Sequence, residues 1–220
     1  MNVSDIWQHP VMAATAADYA WFEERFPDLA EAYCLTLVRG LSPPQVLARL
    51  GARTNGPHVT GIERLPALDL PAAEQLIAVT LIEDVQTGTG TAGTGPPRRW
   101  ALAVEPNGRL GVTEEAIVPL SAGTRLVSHF SDINAIDRFY WLEDGEVRLT
   151  FQPPSPGHRE GQAPDEPLEA MRTAGFDIDG GDPASSVAAA FALAEHLTGV
   201  RVTPETLSES SFLCGVAPHP

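Results

Sequence analysis

The stretch HFSDINAIDRFYWLEDGEVRLTF, residues 129–151, decides how the chain is read. Its second half alternates. Phe139, Trp141, Val147, Leu149 and Phe151 fall on one face of a strand pair, and Arg138, Tyr140, Arg148 and Thr150 take the other. Asp144-Gly145 between them supplies the positive φ that a tight primed turn requires, so the pattern predicts a β-hairpin. The first half is polar. His129, Asp132 and Asp137 are groups that general acid–base chemistry uses when they lie in hydrogen-bond reach of one another. A triad also needs a nucleophile on a strained turn, and no G-x-S-x-G elbow exists. Asp132 and Asn134 read as turn formers between two strands, bonding their own backbone.

Upstream, Thr15 can cap a helix over AADYAWFEERF, with Tyr19, Phe22 and Phe26 as an aromatic stripe and Pro27 as its stop. The segment AYCLTLVRG reads as a strand. SPPQVLARLG reads as a second helix, with Ser42 at the N-cap, Pro43 at the first position, Gln45 closing a capping box and Gly51 at the end. Residues 52–70 are irregular, and AEQLIAVTLIEDV begins as a helical turn and passes into a strand. RWALAVEPNGRLGVT carries the same kind of hairpin signal as residues 138–151, here at Asn107-Gly108. Downstream, PLEAMRTAGF is a short helix closed by Gly175, and ASSVAAAFALAEHLTG a longer one capped by Asp182 with Pro183 behind it. VRV at 200–202 adds an edge strand. These elements predict an α+β fold: a mainly antiparallel sheet of five or six strands, an N-terminal helix pair on one side and a C-terminal helical segment packed on it. One domain over 1–220 is expected, with a flexible Gly/Thr/Pro loop at 86–98, a surface loop at 153–166 and a loose tail at 213–220.

Composition excludes several function classes. All 14 basic residues are arginine, so there is no lysine for a Walker A loop or for a Schiff base. A formal net charge of -15 leaves no basic footprint for nucleic acid. No apolar run is long enough to span a membrane, and the acidic first helix does not read as a signal peptide, so a cytoplasmic protein is expected. The glycines of QTGTGTAGTGPPRR precede prolines and a strand rather than a helix, which argues against a dinucleotide site. Asp177 and Asp179 in DIDGGD begin like a calcium loop, but Asp182 and Ala188 stand where Gly and Glu are needed. The six histidines are scattered singly, so no metal and no cofactor is expected. Cys34, mid-strand among apolar residues, reads as packed and inert.

Five ordered blocks, YCLTLVRGLSP, WALAVEPNG, LSAGTRLVS, DRFYWLEDGEVRLTFQP and AEHLTGVRVTPETL, resemble a family of actinobacterial-type proteins of unknown function. The likeness runs from Asp18 to about Leu207. The sequence departs from the family pattern at Arg109, around HREGQAPDE and in the Gly/Thr loop. The resemblance implies one domain in a bacterial cytoplasm and brings no activity, cofactor or partner.

Two functions are carried forward. The first is a non-enzymatic, immunity- or antitoxin-like binder whose acidic surface takes a basic protein partner through Glu143, Asp144 and Glu146 at the hairpin tip. The second is a small-molecule enzyme or ligand-binding domain with a pocket near His129, Asn134 and Arg138.

Overall fold

The computed structural model describes residues 13–54, 58–65, 70–71, 73–83, 99–179 and 185–218. One nine-stranded sheet dominates it, in the order β2-β9-β3-β4-β1-β5-β6-β7-β8. The strands are β1 (Tyr33–Arg39), β2 (His58–Thr60), β3 (Glu74–Glu83), β4 (Arg99–Pro106), β5 (Arg125–Ser131), β6 (Arg138–Glu143), β7 (Glu146–Phe151), β8 (Arg159–Glu160) and β9 (Ser211–Pro218). Every pairing is antiparallel. The α+β class stands as expected, but the sheet has nine strands rather than five or six.

Among the described residues seven α-helices cover it: α1 (Trp21–Arg25), α2 (Pro27–Glu31), α3 (Pro43–Arg49), α4 (Glu114–Leu120), α5 (Leu168–Ala174), α6 (Ser186–Thr198) and α7 (Pro204–Glu209). Because side chains alternate along a strand, β1 splits its residues between two cores. Tyr33, Leu35 and Leu37 enter an aromatic core with Phe22, Phe26, Met171 and Phe191. Val38 enters an aliphatic core with Val46, Leu47, Ile117 and Leu120. The helix pair expected on one side is therefore divided, since α1 lies on the aromatic face and α3 on the aliphatic face. The C-terminal helices α5 and α6 share the aromatic face with α1. Phe191 of α6 is its hub, with ring centroids 4.7 Å from Phe22 and 5.2 Å from Tyr19.

The hairpin of β6 and β7 forms as its sequence predicts, with Asp144 at φ 50° and Gly145 at φ 81°. A register shift at Trp141/Leu142 pairs Leu142 with Val147, so Val147 joins the aliphatic core instead of sharing a face with Leu149. The second hairpin does not form. Asn107 takes φ 53°, but the chain then enters a 3-10 turn at Leu110–Val112 and helix α4. Three further expectations are corrected. The tail assigned to 213–220 as loose is strand β9 through Pro218, paired between β2 and β3. Val200 and Val202 are buried on either side of an exposed Arg201 without forming a strand, and β3 already begins at Glu74. Helix α6 is capped by Ser185, whose Oγ accepts from the Ala188 amide at 3.1 Å. Asp182, Pro183 and residues 86–98 lie outside the described residues.

Candidate functional site

The structure separates the three residues expected to share a pocket. His129 on β5 points into the aromatic core, 4.5 Å from the Phe191 ring, and its Nδ1 shares a 3.2 Å hydrogen bond with the Tyr33 hydroxyl. Burial lowers its pKa to about 3, so the imidazole is neutral at ordinary pH, and the residue is only 4% exposed. Asn134 sits in the exposed β5–β6 turn, where its amide donates to Asp132 Oδ1 at 2.8 Å. The Ile136 amide donates to the same oxygen at 3.0 Å, so Asp132 organises the turn as the sequence suggests. Arg138 lies on the opposite face from His129, because in the β5–β6 register His129 opposes Phe139 and Arg138 opposes Phe130.

At the hairpin tip, two of the three acidic residues serve the fold. Glu143 forms an ion pair with Arg125, and Asp144 Oδ1 accepts from the Gly123 amide at 2.7 Å. Glu146 is left exposed at the start of β7.

Two polar clusters occupy the face shared with the aliphatic core. The first, which the sequence did not signal, is closed. Glu105 on β4 is 1% exposed, yet both carboxylate oxygens are held. Oε2 accepts from Gln75 Nε2 at 2.6 Å and the Leu110 amide at 2.7 Å, and Oε1 accepts from the Gly111 amide at 2.9 Å. Burial pushes its pKa up to about 7, against the pull of those hydrogen bonds. Thr36 and Ser128 hydroxyls bond each other at 2.8 Å beside Cys34, whose thiol burial raises well above its usual range. These groups pin the 3-10 turn to the sheet, and Cys34 is packed as its sequence context predicts.

The second cluster is open. Arg138, Thr150, Phe151, Gln152, Ser155, His158 and Glu160 line a half-open cleft of about 430 Å³ over strands β6, β7 and β8. Tyr140 opposes Thr150 and Thr150 opposes Glu160, so these polar side chains share one face of three neighbouring strands. Arg148 and Arg159 nearby pair with Glu166 at 2.8 Å and Asp165 at 3.0 Å. Among the described residues, Arg138 has no ion pair or side-chain hydrogen bond. The sequence pointed to Arg138 through strand alternation. His158 and Glu160 gave no signal, since they lie in a Pro/Gly-rich stretch that reads as plain surface loop.

A second hollow of about 420 Å³ lies between α1, α2 and the Ile62–Arg64 turn, with Phe26, Leu29, Ile62 and Leu76 as its walls. The arginine on its rim, Arg25, faces Glu205 at 3.8 Å. Among the described residues no group of His, Cys, Asp or Glu is placed to hold a metal, and no helix is long and apolar enough to cross a membrane.

The chain belongs to the family of unknown function DUF6461, whose model matches residues 12–220. No curated protein and no solved structure matches it.

Proposed function

We propose that this protein is a non-enzymatic binding protein that takes a small polar ligand into the β6–β8 cleft, with Arg138 as the anchoring cation. The observation that carries this reading is the unpaired guanidinium of Arg138 on the wall of a cleft whose volume suits a small molecule. Arginine presents a rigid fork of donors that matches carboxylate-type groups. Binding rather than turnover is supported by where the strongly shifted groups lie. Glu105 and His129 are both enclosed in the interior, and neither borders the cleft. Two buried free thiols, Cys34 and Cys214, support a reducing compartment such as the cytoplasm. The test is saturation-transfer NMR of the protein against a deproteinised extract of its native cells. Small polar components should show transfer with the wild type and lose it with Arg138→Met; equal transfer to both would sink the proposal.

Recognition of a basic protein partner remains a second reading. It is supported by the net charge of -15 and by a hydrogen-bonded β5–β6 turn that holds Ile133 76% and Ile136 52% exposed. The two side chains, three residues apart on one turn, offer such a partner a small apolar contact beside the acidic surface. This reading expects a stoichiometric complex whose association slows with salt and which Ile133→Asp abolishes. A complex unaffected by that substitution would count against it.

A further inference from the structure

Resting on the reading of the cleft as a binding site, we propose that its ligand is a zwitterion, with a carboxylate held by Arg138 and an ammonium group held by Glu160. Both charged side chains line the cleft, and among the described residues neither is engaged in an ion pair, with each other or elsewhere. That is unusual for this edge of the molecule, where Arg148 and Arg159 on the adjoining strands each hold an acid. The two stand on strands that are not neighbours. Arg138 stands on β6 and Glu160 on β8, with β7 between them. Tyr140, Thr150 and Glu160 lie in register and Arg138 stands two residues further along β6, so two strand spacings and that offset put the backbones of Arg138 and Glu160 about 12 Å apart. Opposite charges on a common face, both lining one cleft and not paired with each other, match a ligand that itself carries both signs.

The field of the whole protein selects in the same direction. A formal charge of -15 opposes the approach of any net anion, so a simple carboxylate or phosphate is disfavoured before it reaches Arg138. A zwitterion has no net charge and escapes that repulsion, while its carboxylate still meets the bidentate donors of the guanidinium. Glu160 then supplies the acceptor its ammonium group requires. Gln152 and Ser155 on the same walls offer neutral donors and acceptors, and His158 adds a further ring nitrogen.

The experiment is isothermal titration calorimetry at low ionic strength with matched probes. Glycine, γ-aminobutyrate and ε-aminocaproate are compared with acetate, butyrate and caproate, and with the alkylammonium ions of the same lengths. At least one zwitterion is expected to bind about tenfold or more tightly than both of its single-charge counterparts. Arg138→Met should abolish binding of zwitterion and carboxylate alike, and Glu160→Gln should reduce the zwitterion to the level of its carboxylate counterpart. Carboxylates that bind as well as zwitterions, or a zwitterion affinity unmoved by Glu160→Gln, would overturn the assignment. If no probe binds while an extract component still requires Arg138, the zwitterion is wrong and the cleft reading stands. If neither binds, both fall.

Discussion

Two polar clusters share one face of the same sheet and differ in what they leave unfinished. Around Glu105, both carboxylate oxygens have donors, and the neighbouring hydroxyls bond each other. Around Arg138, the guanidinium has no ion pair or hydrogen bond among the described residues, and the space beside it is half open. Burying a charge or a polar group is costly unless it is satisfied, so the closed cluster has to be complete for the fold to exist. A solvent-facing cluster has no such obligation, and its unspent donors are available to a ligand. The contrast assigns Glu105 to architecture and leaves Arg138 available to the ligand we propose.

Substitutions separate the two. The largest effect is expected at Gly111, where an added Cβ would lie 2.0 Å from Thr36 Oγ1 and 2.7 Å from Cys34 Sγ. Gly111→Ala should destabilise the protein by about 3 kcal/mol or more in urea unfolding, because the obstacle is a buried and fully bonded network. Glu105→Leu should follow closely at about 2–4 kcal/mol, since it leaves the Leu110 and Gly111 amides and Gln75 Nε2 buried without their acceptor.

The closed cluster also sets a pH dependence. The folded pKa of Glu105 is raised from 4.5 to about 7, so its contribution to stability is fully present below 4.5 and is lost as pH rises through 7. His129 has the opposite sign. Its folded pKa is depressed from 6.5 to about 3, so its contribution is present above 6.5 and is lost as pH falls through 3. Urea unfolding from pH 4 to 8 should therefore show a Glu105→Gln variant that gains on the wild type toward pH 8, and a His129→Phe variant that gains toward pH 4. A difference between variant and wild type that stays flat across this range would contradict the assignment of either group. The smallest effects are expected on the open side. Arg138→Met and Glu146→Gln should each change stability by no more than about 0.5 kcal/mol in the same assay, because neither side chain holds a buried partner.

The sequence was readable where the chemistry of a turn is local. Asp144-Gly145 produced its hairpin, and Ser42 with Gln45 produced its capping box, the Ser42 amide donating to Gln45 Oε1 at 2.8 Å. Asn107-Gly108 carried the same signal and misled. Glu105, two residues before Asn107, draws in the amides of Leu110 and Gly111, so the chain turns under the sheet instead of returning along it. No local pattern announces a carboxylate whose partners come from Gln75 and from a turn not yet formed. Strand β9 was hidden for a related reason. The segment GVAP looks like a loose end, but Gly215 lies where a Cβ would come within 3.0 Å of Leu47, so the glycine permits close packing of α3 on the strand. At the site, alternation along β6 marked Arg138 as outward-facing. Its companions His158 and Glu160 arrive through a Pro/Gly-rich turn and the two-residue strand β8, a path that tertiary pairing dictates.

The most direct test of the contrast is thermal unfolding of the wild type and Arg138→Met, each with and without the small-molecule extract of native cells. The account predicts the same melting temperature for both proteins alone, a rise for the wild type with extract, and no rise for the variant. A variant that melts several degrees lower by itself, yet is stabilised by the extract as much as the wild type, would place Arg138 in the architecture and remove it from the binding site.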